Sequence, residues 1–439
     1  MTDARAIAYE ALLLADEGRQ GGSLSKDVLD KYSYLDRQDR SFVKRLIEGT
    51  IERRITIDHV LDLYSKTPVV KMKKQVRTLL RMGVYQLLYM DSVADYAAVS
   101  ETVKLIRKTP LRNLSGFING VLRSIERDRD NISWPDEDSD RIKYLSVHYS
   151  CPEWIVELLN DDLGKERARC ILELSVSSRP ICARVNLSKT TVGDALKKCK
   201  GTASDVCDIA VVLEDNDNIT GIPAFSDGDI CIQDISSMLV CLAAGIGRED
   251  TVLDLCAAPG GKSLHAADIA TAGKVIACDV SEQKVDRIRE NIDRCGFTNI
   301  ETAVSDATVY DESLSDIADV VIADVPCSGL GVMGRKNDIK YNITQDGIAS
   351  LIPLQQSILK NACRYVKTGG TLMFSTCTCT RAENHDNVRF LIEECQMKPV
   401  GFYDLIPEKL RDDTAMEGYL QLYGKDMKTD GFFIAKFTK

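Results

Sequence analysis

The chain has 439 residues, 44% of them hydrophobic and 28% charged, and a formal net charge of -10 at pH 7. That length exceeds one ordinary core, so two or three domains are expected of what is by composition a soluble globular protein. The acidic balance excludes a chain that coats nucleic acid over its whole surface, and no apolar stretch of the sequence reaches membrane-spanning length.

The first residues, MTDARAIAYEALLL, carry an early acid in an amphipathic pattern, so no signal peptide is expected and the cytoplasm is the expected compartment. The 15 cysteines begin at Cys151 and include neither a C-x-x-C pair nor a histidine at ligand spacing. No metal site is therefore expected; most thiols should act as small buried hydrophobes in a reducing compartment.

Residues 1–130 read as a helical bundle. Phe42, Val43, Leu46, Ile47, Thr50 and Ile51 form one apolar stripe, Met72, Val76, Leu79, Leu80, Val84, Leu87 and Leu88 a second, and Phe117, Ile118, Val121 and Leu122 a third. This segment holds 23 Lys and Arg against 18 Asp and Glu, a local +5, which leaves -15 on the other 309 residues. Its cations gather at Lys71, Lys73, Lys74 and Arg77, and again at Lys104, Arg107, Lys108 and Arg112. Such clusters suit RNA phosphates, although a solvated helix face has the same composition.

An acidic stretch around Trp134 and Pro135 reads as a linker. Residues 141–245 then mix a helix, Trp154 to Leu174, with short strands at 181–185, 210–213 and 230–233, a small α+β module in which Ser150 to Trp154 reads as a helix start with Pro152. From 246 to 439 strand and helix alternate, with strands expected at 252–255, 274–279, 300–304, 318–324 and 371–376, and an antiparallel hairpin at 419–436 around a turn at 425–430. That is the pattern of a doubly wound, mostly parallel α/β sheet.

The stretch VLDLCAAPGGKS, residues 252–263, organises this last region: a buried strand ends in a glycine turn that opens a helix. A P-loop would need glycine where Cys256 stands, and a dinucleotide fingerprint needs three spaced glycines where only Gly260 and Gly261 occur. A cofactor with a nucleoside and no phosphate, such as S-adenosylmethionine, fits the turn better. The next strand ends in Asp279, an acid suited to two ribose hydroxyls; its other reading is a cap for the following helix.

Ligands of such sheets bind beyond the carboxyl ends of the strands. Those ends offer Cys256, Ala257, Ala258, Pro259, Gly260, Gly261 and Lys262, then Asp279, Asp306 near the expected adenine, Asp324 followed by Cys327, and Ser375 to Cys377. Two cysteines at one rim suit methylation of cytosine C5, a carbon too weakly nucleophilic until a thiolate adds at C6. Release then needs a base and a second helper, and an acid such as Asp324, protonated or water-linked, would stabilise the charge that develops at the ring N3 edge.

Three motifs, DLCAAPGGKS, ADVPCSGLGVMGRKNDIKY and STCTCTRAEN, resemble the cofactor loop, Pro-Cys and Thr-Cys motifs of RNA cytosine-C5 methyltransferases. DRSFVKRLIEGTIERRITIDHVL, RTLLRMGVYQLLYMD and GFINGVLRSI resemble the NusB-type RNA-binding helical domain. Together, across nearly the whole chain, they resemble the RsmB (Sun/Fmu) family of 16S rRNA methyltransferases, named for cytosine 967 of that RNA. The resemblance implies a Rossmann-like, class I S-adenosylmethionine-dependent methyltransferase domain behind the small module and the NusB-like domain. It also implies cofactor contacts from Cys256 to Lys262 and from Asp279, Asp306 and Asp324. Cys377 would be the nucleophile, Cys327 would assist release, and 16S rRNA would be the partner.

The sequence departs from that pattern at Val325, Asn337, Tyr341, Cys379 and Arg381, which bears on the base pocket and the target base. The same chemistry on tRNA or 23S rRNA, an inactive NusB-like RNA-binding protein, and a nicotinamide-dependent dehydrogenase are the alternatives.

Overall fold

The computed structural model describes residues 4–16, 21–32, 34–177, 179–214, 219–424 and 428–439, with 21–24 described by their backbone alone. The chain forms two compact units, one of Met1–Ser177 with Met333–Asn342, the other of Ser178–Val332 with Ile343–Lys439. Neither composition boundary, at 130 or at 245, is a boundary between these units.

The first unit is helical. The three stripes lie on the helices Arg37–Glu52, Lys74–Tyr89 and Ser115–Arg127, and Val43, Leu46, Ile47, Leu79, Leu80, Ile118 and Leu122 are fully buried in one core. Met72 lies just before the second helix and is buried with them. The acidic stretch expected as a linker is pinned inside the unit: Trp134 stacks on His59 with ring centroids 5.9 Å apart, and Glu137 pairs with Arg141 and Arg169. The helix expected over 154–174 is two, Glu153–Leu163 and Lys165–Leu174, because Gly164 between them takes φ +78°. Pro152 caps the first of these, and Trp154 is half-buried.

In the second unit, β1 (Ile181–Val185), β2 (Gly201–Ala203), β3 (Ala210–Leu213) and β4 (Ile230–Ile232) make an antiparallel sheet of order β2-β3-β1-β4. Arg184 is fully buried here with Asp268, Nη1 to Oδ2 2.7 Å, an ion pair that ties β1 to a helix of the larger sheet.

The larger sheet contains β5 (Thr251–Asp254), β6 (Lys274–Asp279), β7 (Ile300–Val304), β8 (Ala318–Asp324), β9 (Val366–Thr376), β10 (Lys398–Pro399), β11 (Tyr419–Leu422) and β12 (Phe432–Thr438). Its order is β10-β12-β9-β8-β5-β6-β7, with β11 also paired to β12. Strands β5 to β9 are parallel and β12 runs antiparallel to β9, as expected of a doubly wound sheet closed by an antiparallel edge. Residues 425–427 of the expected hairpin turn lie outside the described residues. β5 pairs β6 on one side and β8 on the other, so the strand order reverses beside β5, where ligands of such sheets sit.

Candidate active site

The loop leaving β5 is shaped by its glycines and by Asp279. Gly260 takes φ +107° at the start of the helix Gly261–Ile269, a conformation that L side chains rarely adopt, and a Cβ there would lie 3.3 Å from Ile288 Cγ2. Asp279, 4% exposed at the end of β6, accepts from the Ala258 amide at 2.9 Å, from the Val280 amide at 2.7 Å and from Lys284 Nζ at 2.9 Å. It therefore holds the glycine loop in shape. It does not cap the next helix, whose N-cap is Ser281. Asp306 follows β7 on the surface and accepts from the Thr308 hydroxyl and amide, which hold its carboxyl below the usual range.

Asp254, the last residue of β5, is 0% exposed. One of its oxygens takes the Ser263 hydroxyl at 2.6 Å; the other is buried with no hydrogen-bond partner among the described residues. Burial pushes its carboxyl up to about 6. Around the strand ends Val280, Val304 and Val309 are about half exposed or more. Sequence reasoning passed over all four: Asp254 reads as part of a buried strand, and the valines as strand termini, although an apolar residue directly after Asp279 is itself a signal.

Lys262 and Asp324 meet as an ion pair. Lys262 Nζ donates to Asp324 Oδ2 at 2.6 Å and lies over the Phe432 ring, 5.4 Å from its centroid; Ser375 Oγ donates to the other carboxylate oxygen at 2.8 Å. Burial works against the charge on Lys262, but Asp324 outweighs it and raises its pKa.

The two expected thiols come together. Cys327, beyond β8, and Cys377, beyond β9, lie with sulfurs 3.3 Å apart, each partly accessible. Cys377 and burial push the Cys327 thiol well above its ordinary value, with Glu383 and Asp324 adding to the effect. The loops approach so closely that a Cβ on Gly331 would stand 2.1 Å from Gly431 O and 2.9 Å from Cys377 O. Cys379, two residues on, is 1% exposed.

Among the departures, Arg381 is on the surface, 3.8 Å from Asp386. Asn337 and Tyr341 belong to the helical unit, where the half-buried Tyr341 ring lies under Arg54 at 3.7 Å and its hydroxyl donates toward the carbonyls of Glu52 and Ser150. Tyr341 thus packs inside that unit. Among the described residues no group of three or more His, Cys, Asp or Glu is arranged to hold a metal ion, and no helix is long and apolar enough to cross a membrane.

The parallel sheet, the glycine cradle, the orphaned Asp254 oxygen and the apolar strand ends fit a nucleoside cofactor and define an S-adenosylmethionine-dependent methyltransferase. The family model described as 16S rRNA methyltransferase RsmB/F matches residues 243–438, and the NusB family matches residues 2–127. The probable ribosomal RNA small subunit methyltransferase B of Bacillus subtilis is 35% identical over all of this chain and 99% of its own length; that of Synechocystis is 31% identical over the whole of both. This chain belongs to the ribosomal RNA small subunit methyltransferase B family. In fold it is similar to the crystal structure of PH0851, with a TM-score of 0.81 at 22% identity over 100% of this chain and 99% of that one. It is also similar to NSun6 from Pyrococcus horikoshii with SFG, at a TM-score of 0.55 and 22% identity over 66% and 98%.

Proposed function

We propose that the chain methylates C5 of a cytosine in 16S rRNA through a covalent adduct between Cys377 and C6. The observation that carries this reading is the pair of sulfurs 3.3 Å apart beside the Lys262–Asp324 ion pair. A reaction that forms a thioether to the ring and must later break it needs two helpers, and one rim provides both.

Bound S-adenosylmethionine supplies an electrophilic methyl group. The chain's residues that would hold it are the loop from Cys256 to Lys262, with Asp279 toward the ribose and Asp306, Val280 and Val304 toward the base. Cys377 attacks C6 as the thiolate, and electron density moves into the ring toward N3 and C5. The Lys262 ammonium faces that developing negative charge, and Asp324, as its ion-pair partner, keeps Lys262 protonated despite burial. C5 gains the methyl group and loses its proton to a base, the C6–sulfur bond breaks, and Cys377 leaves as the thiolate. Cys327 assists this last step from beside the leaving sulfur.

In the helical unit, Lys71, Lys73, Arg107, Lys108 and Arg112 are exposed and suit RNA phosphates. Arg77 is not one of them, being bonded to Asp16. Bisulfite sequencing of ribosomal RNA from cells with and without the protein tests the reading: one 16S cytosine should lose its protection when the protein is absent. Loss of protection in tRNA or 23S rRNA instead would reassign the target, and no change at any cytosine would refute the reaction.

A further inference from the structure

The strand ends explain the thiols singly, but not what makes two neighbouring thiols do different things. Each is followed by a hydroxyl residue, Ser328 after Cys327 and Thr378 after Cys377, and both turn to the same carboxylate. Glu383 accepts the Ser328 amide at 2.7 Å on one oxygen and the Ser328 hydroxyl at 2.6 Å on the other, which also takes Thr380 at 2.8 Å and Thr378 at 3.3 Å. Ser328 and Thr378 are 2.7 Å apart, oxygen to oxygen. Gln355 donates to Glu383 at 3.1 Å and to the carbonyl of Pro326 at 2.9 Å, and its own oxygen is held by Asn387 at 2.8 Å.

We propose that Glu383 is the positioning residue that holds Cys327 and Cys377 in register and keeps the two thiols chemically unequal. The inference rests on the covalent reading above and deepens it. Glu383 is fully buried and, among the described residues, no cation pairs with it. Its charge is held by hydrogen bonds alone: both oxygens only accept, from the Ser328 amide and Gln355 on one side and from the Ser328, Thr378 and Thr380 hydroxyls on the other, and an amide would turn its NH2 onto one set of those donors.

The charge acts unevenly on the two sulfurs. Cys327 faces Cys377, Glu383 and Asp324, all of which, with burial, hold its proton on. Cys377 interacts also with the Lys262 ammonium. Of two adjoining thiols, Cys377 is therefore the one left to ionise and attack, and Cys327 stays a thiol beside the departing sulfur.

The test uses the full chain and the variants Glu383→Gln and Glu383→Ala. Alkylation by iodoacetamide, mapped by mass spectrometry from pH 6.5 to 9.5, reads each thiol directly because the thiolate is the reacting form. In the parent chain Cys377 should be labelled ahead of Cys327. In Glu383→Gln, which keeps the shape and removes the charge, labelling of Cys327 at pH 8.5 should rise roughly threefold or more. Steady-state methyl transfer should lose about tenfold or more in kcat, with KM for S-adenosylmethionine within about twofold, since a mispositioned group costs rate rather than cofactor binding. Glu383→Ala should be worse than Glu383→Gln on the same measure; if it fails to fold, Glu383→Gln decides. An unchanged pH profile of Cys327 in Glu383→Gln overturns the proposal whatever the rate, as does a parent chain in which Cys327 is the faster thiol. If the parent chain forms no adduct with RNA at all, the covalent reading falls while the labelling order still reports on Glu383.

Discussion

Replacing Lys262 by Met removes the ammonium from the rim while keeping an unbranched stem of similar length in its buried slot. At the observed 2.6 Å, the attraction to Asp324 is about 6 kcal/mol at an effective dielectric of about 20, before the desolvation of a buried ammonium is subtracted. The net worth of a charge-assisted bond of this kind is about 1.5–3 kcal/mol. If that interaction is realised where charge develops on the ring, kcat should fall roughly 10- to 150-fold. The assay is transfer of labelled methyl groups to RNA at saturating and limiting S-adenosylmethionine. The reasoning requires kcat to fall and KM for the cofactor to stay within about threefold. A raised KM with kcat intact would refute it, and would leave Lys262 with the cofactor-binding role that its place in the glycine loop suggested.

Cys377→Ala should abolish both methylation and any covalent protein–RNA species, whereas Cys327→Ala should accumulate a methylated adduct visible as a shifted band on denaturing gels; the opposite pattern reverses the roles. Asp279→Ala should weaken S-adenosylmethionine binding by about 1.5–3 kcal/mol by calorimetry, and unchanged affinity would remove Asp279 from the ribose. Replacing exposed Lys71, Lys73, Arg107 and Lys108 by Ala should weaken RNA binding and flatten its salt dependence, by about 0.7 in slope for each single-strand phosphate no longer neutralised; an unchanged slope would make these cations merely solvated. Asp254, fully buried, has its carboxyl raised from 3.8 to about 6. Its contribution to stability is thus fully present below about 3.8 and lost as pH rises through about 6, a cost of about 3 kcal/mol at neutral pH. Thermal melts of Asp254→Asn should then fall less than those of the parent between pH 5 and 7, and parallel curves would contradict the shift.

Much of this was legible in the sequence because the sheet announces itself residue by residue. Strands β6, β7 and β8 occupy the expected positions, since β-branched runs there end at acids or polar loops. β2 escaped notice because Gly201–Ala203 has no apolar alternation to see, and β9 starts five residues early because Gly369 and Gly370 read as a turn although they lie within the strand. The acidic stretch near Trp134 looked like a linker by composition. Its Glu137 is held by Arg141 and Arg169 together, which no linear pattern reveals. The thiols could be named from their motifs, but Glu383 could not be tied to them, because its donors come from positions 328, 355, 378 and 380, and only the closed sheet brings those together.

The helical unit is discontinuous in the chain, and this bears on how it can be made. The segment Met333–Asn342 is part of it, with Lys340 fully buried, its amine near the Tyr149 carbonyl at 3.5 Å, and Gly334 so close to Leu174 that a Cβ would lie 2.5 Å from that carbonyl oxygen. The 155 residues from 178 to 332 are synthesised between the two parts. At roughly 5–20 residues per second, a nascent chain waits about 8–30 s with that slot open. A fragment cut at 130 or at 177 never fills it, so point substitutions on the exposed cations, and not truncation, are the clean way to ask what this unit binds. On the ribosome, the same gap is an interval in which a large part of the second unit is already made while the first is still incomplete.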